Sequence, residues 1–220
     1  MRRLSAVLTL PLLAACASAA PSGTDLLGEG APAWFTVGSE TLHPAWRLED
    51  GVLSLTRAGG GDITNGELYG DFELTFDWRV APGGNSGVFY FVDLGHDGPA
   101  YETGPEYQVL DNARHADGAS PLTSAGAVYG LFPTEMSAAR PAGEWNRGRI
   151  NARGGTVEHW LNGVRTARYT LGSETFETRV AETKFAAWAG SFGRTAKGVI
   201  VLQDHGDVVS YRNVRVREVE

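Results

Sequence analysis

Residues 71–80 read Asp-Phe-Glu-Leu-Thr-Phe-Asp-Trp-Arg-Val, in which apolar and polar side chains alternate without a break. Successive side chains of a β-strand point to opposite faces of a sheet, so this alternation predicts a strand with one buried face and one solvated face. Strands of this kind bury their apolar face against a second layer. We therefore expect four large side chains to lie between two sheets, namely Phe72, Leu74, Phe76 and Trp78.

The next segment along the chain extends this pattern. A turn-forming Pro-Gly-Gly-Asn stretch at residues 82–85 leads into residues 87–94, which are almost continuously apolar. Such a run predicts a strand that is covered on both faces. Two further strand patterns at residues 156–169 flank Asn162-Gly163, the dipeptide that best tolerates positive φ in a type I′ hairpin turn.

The remaining segments also favour strands over helices. Residues 198–203 and 208–219 have strand patterns, and glycine makes up 29 of the 220 residues, about twice its usual share of about 7 %. No helical periodicity extends beyond a turn or two, although residues 133–139 could form one short helix. These features predict an all-β protein, a sandwich of two antiparallel sheets.

The N-terminus resembles a bacterial lipoprotein signal. Arg2 and Arg3 precede an apolar run that ends in Leu13-Ala14-Ala15-Cys16, which is similar to a lipobox, and Cys16 is the single cysteine. The alternative is an ordinary signal peptide that is cut nearby and removes Cys16. The lipobox interpretation predicts a signal peptide at 1–15, a lipidated tether at 16–24 and one domain at 25–220. The protein would lie in the cell envelope, on the periplasmic or outer-membrane face, and contact the membrane only through its lipid.

Charge narrows the range of partners. The formal net charge is −7, and an acidic chain is a poor partner for nucleic acid, whose phosphates attract basic proteins.

Several short motifs occur in a characteristic order. They are Asn85-Ser86-Gly87-Val88, Glu106-Tyr107-Gln108-Val109-Leu110-Asp111-Asn112, Gly143-Glu144-Trp145-Asn146, and Gly198 to Gly206 ahead of Tyr211-Arg212-Asn213-Val214. In this order they resemble the 3-keto-disaccharide hydrolase family, over about residues 25–220. The resemblance implies a concanavalin-like jelly-roll sandwich. Relatives often carry an arginine soon after the Asn-Ser-Gly motif, where this chain has Tyr90 and Phe91.

The resemblance also implies a particular chemistry. A ketone at C3 of a sugar acidifies the C2 proton, so a base can form an enolate that expels the C1 substituent, and hydration completes a net hydrolysis. This reaction needs an acid, a base and donors to the enolate oxygen. It needs no cofactor of its own, and the sequence shows no specific metal-site spacing. A separate sugar 3-dehydrogenase would supply the 3-keto-glycoside.

Two segments carry side chains suited to that reaction. Strand alternation places Glu106 and Gln108 on one face, and Gln203 with His205 on one face if its strand extends that far. We expect Glu106 and His205 to form the acid/base pair, with Gln108 and Gln203 binding substrate. The competing interpretation is a solvated face for Glu106 and a turn role for His205.

Three further residues are weaker candidates for substrate binding. Asn85 and Asp111 occur where ordinary turn residues also occur. Trp188, in a glycine-flanked stretch, could stack on a sugar ring. We expect Trp145 in the core and Arg212 on the apolar side of the last strand, where its charge would need a partner.

The main alternative to an enzyme is a non-catalytic carbohydrate-binding module, because this fold hosts both functions. A binding module has no need of an acid/base pair, so Glu106 and His205 distinguish the two.

Overall fold

The computed structural model describes residues 23–134 and 138–219. The signal peptide, Cys16 and the tether as far as residue 22 lie outside the described residues, and so does the middle of the short helix expected at 133–139. No helix in the described part of the chain is long and apolar enough to cross a membrane.

The described residues form thirteen strands and one α-helix. The strands are β1 Thr24–Asp25, β2 Phe35–Thr36, β3 Trp46–Glu49, β4 Val52–Leu55, β5 Ile63–Thr64, β6 Phe72–Val80, β7 Asn85–Val92, β8 Glu106–Leu110, β9 Asn146–Arg153, β10 Thr156–Leu161, β11 Val164–Thr170, β12 Val199–Leu202 and β13 Val209–Glu218. The helix is α1 Glu174–Ala181, and short 3-10 helices span Ala100–Glu102, Ala116–Ala119 and Lys184–Trp188.

These strands form two antiparallel sheets. The large sheet has the order β11-β10-β9-β6-β13-β4-β3, with β1 also paired to β13, and the small sheet has the order β2-β5-β12-β7-β8. The two-sheet, all-β sandwich predicted from the strand patterns is confirmed.

The core between the sheets is built on the alternation of apolar and polar side chains along β6. Along β6, Phe72, Leu74, Phe76 and Trp78 are all buried, while the residues between them are more exposed. The Phe76 ring meets Tyr107 of the small sheet edge to face at 5.2 Å. The prediction for β6 is therefore confirmed, and Tyr107 fixes β8 with its alternate residues facing away from the core.

The hairpin and the covered strand are also confirmed. Asn162 and Gly163 both have positive φ between β10 and β11, as a type I′ turn requires. Every residue of β7 is buried, but the strand ends at Val92 and Leu94 is exposed in the following turn.

The helix α1 was not predicted. The Ser173 hydroxyl accepts a hydrogen bond from the Phe176 backbone N–H, which caps the helix, and Glu174 and Glu177 occupy the first turn. Phe176 and Val180 are its buried residues, and the Phe176 ring stacks between Tyr169 and Phe192. A serine N-cap followed by acids is a helix start that the sequence contained.

Two expectations about the last strand and its neighbours were wrong. The pairing of β13 with β6 shifts after Arg212, where Asn213 has a φ of 51°. This bulge places Arg212 on the outer face while Val214 and Val216 remain buried. Trp145 also lies outside the core, with the Arg212 guanidinium 4.1 Å from its ring. The partner expected for Arg212 is Asp77, at 3.3 Å.

Candidate active site

A cleft opens on the outer face of the small sheet, the face turned away from the core. It gathers the polar side chains of β7, β8 and the end of β12 together with residues of three loops. Its lining consists of Asn85, Phe89, Tyr101, Gly104, Glu106, Gln108, Tyr129, Lys184, Phe185, Gln203 and His205. Five of the seven proposed catalytic or substrate-binding residues therefore lie together: Asn85, Glu106, Gln108, Gln203 and His205.

Strand register sets the order of these side chains. Gly87 of β7 pairs with Gln108 of β8, and the Gln203 backbone N–H donates to the Gly87 carbonyl at 3.0 Å. Glu106 pairs with Phe89 one row away. The two glutamines therefore flank Gly87, with the glutamate in the adjacent row.

Gly87 provides the space for the Glu106 side chain. A Cβ built on Gly87 would lie 2.7 Å from Cδ and 2.8 Å from Cγ of Glu106, well inside van der Waals contact. The side chain of Glu106 therefore lies directly over the backbone of β7, and only glycine at position 87 allows this.

Burial changes the acidity of Glu106. Loss of water contact raises the pKa of its carboxyl to about 8, the nearby Lys184 ammonium acts in the opposite direction, and the charges of Asp62 and Asp117 raise it further. At neutral pH the group is mostly protonated and can donate a proton. The alternative of a solvated face is excluded for Glu106, because the side chain is buried.

Three amide oxygens in the cleft have no hydrogen-bond partner. They are Asn85 Oδ1, Gln108 Oε1 and Gln203 Oε1, and they make up half of the six buried, unpartnered side-chain polar atoms among the described residues. An unpaired buried acceptor costs about 1 to 3 kcal/mol. Acceptors grouped in one cleft are positioned to receive hydrogen bonds from sugar hydroxyls.

An irregular segment at residues 126–129 holds β8 in place. The Gln108 backbone N–H donates to the Ala127 carbonyl at 3.2 Å, and the Tyr129 N–H donates to the Glu106 carbonyl at 3.1 Å. Behind it, His159 Nδ1 lies 3.2 Å from the same Ala127 carbonyl and its Nε2 lies 2.7 Å from the Tyr90 hydroxyl. Burial lowers the pKa of His159 to about 3, so the imidazole behind β8 is neutral at neutral pH.

His205 lies beyond the end of β12, at the exposed mouth of the cleft. β12 ends at Leu202, and the turn that follows is held by the Asp204 N–H, which donates to Asp62 Oδ1 at 2.9 Å. Asp204 Oδ2 in turn accepts from the Gly60 N–H at 2.6 Å. Burial and the Asp204 charge raise the pKa of Asp62 to about 6. The His115 ring lies 6.3 Å from that of His205, a neighbour that the sequence did not indicate.

Lys184 and four aromatic residues, Phe89, Tyr101, Tyr129 and Phe185, line the cleft although the sequence did not indicate them. The segment after α1 carries Lys184 and Phe185 to the cleft, where the Lys184 ammonium lies 4.5 Å from the Tyr129 ring centroid. Glu177 of α1 pairs with Arg194, and the Ser191 hydroxyl donates to the Glu102 carbonyl at 2.9 Å. These contacts fasten residues 177–194 beside the small sheet.

The cleft thus contains a positively charged side chain, that of Lys184, although the chain lacks the arginine expected near Tyr90 and Phe91. Both of these side chains are buried in the core, and Lys184 reaches the cleft from a distant part of the sequence.

Two proposed substrate-binding residues lie outside the cleft lining. The Asp111 carboxylate accepts hydrogen bonds from the backbone N–H groups of Gly83 at 2.8 Å and Ala113 at 3.1 Å. It therefore stabilises the turns that contain these two residues. Trp188 packs behind Tyr101 of the cleft lining, with the two ring centroids 5.3 Å apart in an edge-on arrangement. It supports the Tyr101 ring, which does line the cleft.

Comparisons with known proteins agree with this architecture. A profile of the 3-keto-alpha-glucoside-1,2-lyase-like domain matches residues 23–217. A 3-keto-disaccharide hydrolase from Bacteroides thetaiotaomicron is 33 % identical over 213 residues, which cover 84 % of this chain and 73 % of that protein.

Solved structures give the same fold. The crystal structure of a putative glycosyl hydrolase from Parabacteroides distasonis matches with a TM-score of 0.78 and 30 % identity, over 85 % of this chain and 88 % of that chain. A carbohydrate-binding module from Bacillus subtilis matches in fold alone, with a TM-score of 0.50 and 12 % identity over 84 % and 95 % of the two chains. The chain therefore belongs to the family of 3-keto-alpha-glucoside-1,2-lyase-like domains, and it is a carbohydrate-active hydrolase.

Proposed function

We propose that this hydrolase cleaves 3-keto-glycosides through an elimination followed by hydration. The observation that carries the proposal is the buried, proton-holding Glu106 carboxyl beside three unpartnered amide oxygens. A binding site for intact sugars has use for the amides but none for a carboxyl kept protonated at neutral pH.

The reaction divides between two side chains. His205 removes the C2 proton, which the C3 ketone has made acidic, and Glu106 gives its proton to the C1 oxygen as the C1–O bond breaks. The electron pair of the C2–H bond becomes the C1–C2 double bond. Water then adds across that bond, with its hydroxyl to C1 and a proton to C2. No electron enters or leaves, so the reaction requires no redox cofactor.

The amides and Lys184 support the charge that develops. Negative charge accumulates on the C3 oxygen when the C2 proton leaves, and the Lys184 ammonium and the amide N–H groups of Gln108 and Gln203 are donors that line the same cleft as Glu106. The unpaired amide oxygens accept from the remaining ring hydroxyls. The ketone itself must come from an enzyme that oxidises the C3 hydroxyl, a sugar 3-dehydrogenase.

The direct test is a pair of glucosides that differ only at C3, one native and one oxidised, with release of the aglycone measured. We expect cleavage of the oxidised compound alone. In heavy water, the product should carry deuterium at C2, because that proton is replaced from solvent. Full retention of the C2 hydrogen would contradict elimination and indicate displacement at C1.

His205→Ala provides the second test. Loss of one positioned base should slow cleavage by about 10² to 10⁴-fold, with the melting temperature unchanged because the side chain is exposed. A variant as active as the parent would refute the assignment. Sugar binding without cleavage of any 3-keto-glycoside would instead favour a carbohydrate-binding module.

We also propose that the mature protein is anchored through lipid on Cys16. The support is the lipobox-like sequence that ends at Cys16. Cys16→Ser should release the protein from the membrane fraction of a bacterial host, and unchanged membrane association would contradict the anchor.

A further inference from the structure

The outer face of the large sheet is strongly basic in a protein that is acidic as a whole. On strands β6, β9, β10, β11 and β13 this face carries nine arginines against three carboxylates. The arginines are Arg79, Arg147, Arg149, Arg153, Arg165, Arg168, Arg212, Arg215 and Arg217, and the carboxylates are Glu73, Asp77 and Glu158. These nine are almost half of the 19 lysines and arginines in a chain of formal net charge −7.

Two of the three carboxylates on this arginine face are each shared between two arginines, and Asp77 pairs with Arg212. Glu73 lies 3.9 Å from Arg149 and 3.3 Å from Arg217, and Glu158 lies 3.2 Å from Arg165 and 3.7 Å from Arg168. One carboxylate cannot neutralise two guanidinium groups, so positive charge remains on the surface. Like charges this close repel one another, and an anionic partner would relieve that repulsion.

The N-terminal chain enters the fold at this same face. Strand β1 pairs with β13, and the Gly23 carbonyl accepts from Arg215 Nη1 at 3.1 Å. Asp25 also pairs with Arg215, at 2.7 Å. Gly23 lies seven positions after Cys16, a distance of at most about 25 Å when the chain is fully extended. A lipid on Cys16 would therefore hold the arginine face within reach of a bilayer.

We propose that the arginine face is a docking surface for an anionic phospholipid bilayer. Guanidinium groups match phosphate geometry with paired N–H donors, and the ring edges of Trp145 and Trp160, held under Arg212 and Arg149, are suited to the headgroup region. The cleft lies on the opposite side of the sandwich, so docking would turn it toward solvent. The arginine face would be a second membrane contact beside the lipid, which is the single contact expected from the sequence.

The test uses the full-length chain with Cys16→Ser, which carries no acyl chain, so it does not depend on the anchor or on catalysis. Binding is measured by sedimentation with vesicles of phosphatidylcholine alone or mixed with phosphatidylglycerol. We expect binding to the anionic vesicles, weakened by salt as screened surface charges require. Residues 1–15 are common to all variants and cancel in the comparison.

Two matched pairs of substitutions isolate the face. Arg147→Gln with Arg168→Gln should lower the partition coefficient about 25-fold, from about fivefold for each arginine near a charged surface. Arg57→Gln with Arg114→Gln removes the same charge from exposed positions outside the large sheet and should change it less than about twofold.

Equal losses from the two pairs would overturn the proposal, because they would show an effect of net charge alone. So would equal binding to neutral and anionic vesicles. Binding to an acidic polysaccharide or DNA without binding to vesicles would replace the bilayer with an anionic polymer as the partner of this face.

Discussion

The two outer faces of the sandwich differ in the burial and the pairing of their polar groups. On the large sheet, charged groups are numerous, partly exposed and engaged with one another, as in the pairs of Glu73 and Glu158 with two arginines each. On the small sheet, polar groups are few and buried, and three amide oxygens lack partners. Burying a polar group without a hydrogen-bond partner costs free energy that folding does not offset. In the cleft, a ligand that donates hydrogen bonds to these oxygens can offset that cost.

The largest expected difference between the faces is catalytic. Glu106→Gln keeps the shape of the side chain and removes its transferable proton, so kcat/KM for a 3-keto-glycoside should fall by about 10² to 10⁴-fold. Glu73→Gln makes the same change on the large sheet and should leave kcat/KM unchanged. Comparable losses in both variants would contradict the division between the two faces.

The next contrast lies across a single strand. Phe76→Ala removes a buried ring that packs on Tyr107 and should lower the free energy of unfolding by about 3 to 5 kcal/mol. Thr75→Ala, on the outer face of the same strand, should change it by less than about 0.5 kcal/mol. Denaturant titration of both variants measures this, and equal effects would mean that the register of β6 is wrong.

The raised pKa of Glu106 predicts how stability depends on pH. The folded protein holds this proton up to about pH 8, whereas an unfolded chain releases it near the ordinary glutamate value of about 4.3. Stability from this group is therefore complete below that value and is lost as the pH rises toward 8.

Glu106→Gln has no such dependence, so its stability relative to the parent should rise between about pH 4.3 and pH 8 and stay level above pH 8. Melting temperatures at a series of pH values test this, with Glu73→Gln as the control that follows the parent. A constant difference across the whole range would show that Glu106 is ionised in the folded protein.

The same pKa predicts the rate profile. If Glu106 acts as the acid, cleavage should slow as the pH rises through about 8, because the proton it must donate is lost. A rate that rises through this range would make Glu106 the base and exchange its role with His205.

The smallest expected effect concerns the unpaired amides. Gln203→Leu removes an acceptor that has no partner in the free protein, so stability should stay level or rise slightly. The KM for substrate should rise about fivefold to tenfold, the contribution of one hydrogen bond between neutral groups. The kcat should fall as well, because the amide N–H proposed to support the charge on the C3 oxygen is lost with the same side chain. A clear loss of stability would mean that this amide is already paired by an internal water.

Features of the fold that are determined by a few neighbouring residues could be predicted from the sequence. The alternation in β6 and the Asn162-Gly163 turn are decided within a few residues, and both predictions are confirmed. Glu106 and Gln108 are two residues apart on one strand, so their common face followed from the strand itself.

The errors and omissions arose where distant segments meet. Lys184 reaches the cleft through α1 and a following turn, and no local pattern indicates that destination. The bulge at Asn213 reversed the faces expected for Arg212, since one extra residue in a strand exchanges its two sides. Trp145 was expected in the core because tryptophan is apolar, but two arginines hold it outside, with Arg79 at 4.7 Å.

Gly87 has a consequence for how this family could change during evolution. A single added methyl group at position 87 would displace the Glu106 side chain, whose atoms are the three nearest to a Cβ at that position. On the proposed mechanism, such a protein would keep the amides that bind sugar and lose its proton donor. A change from a catalytic cleft to a binding cleft would then need one nucleotide substitution, at a residue with no side chain.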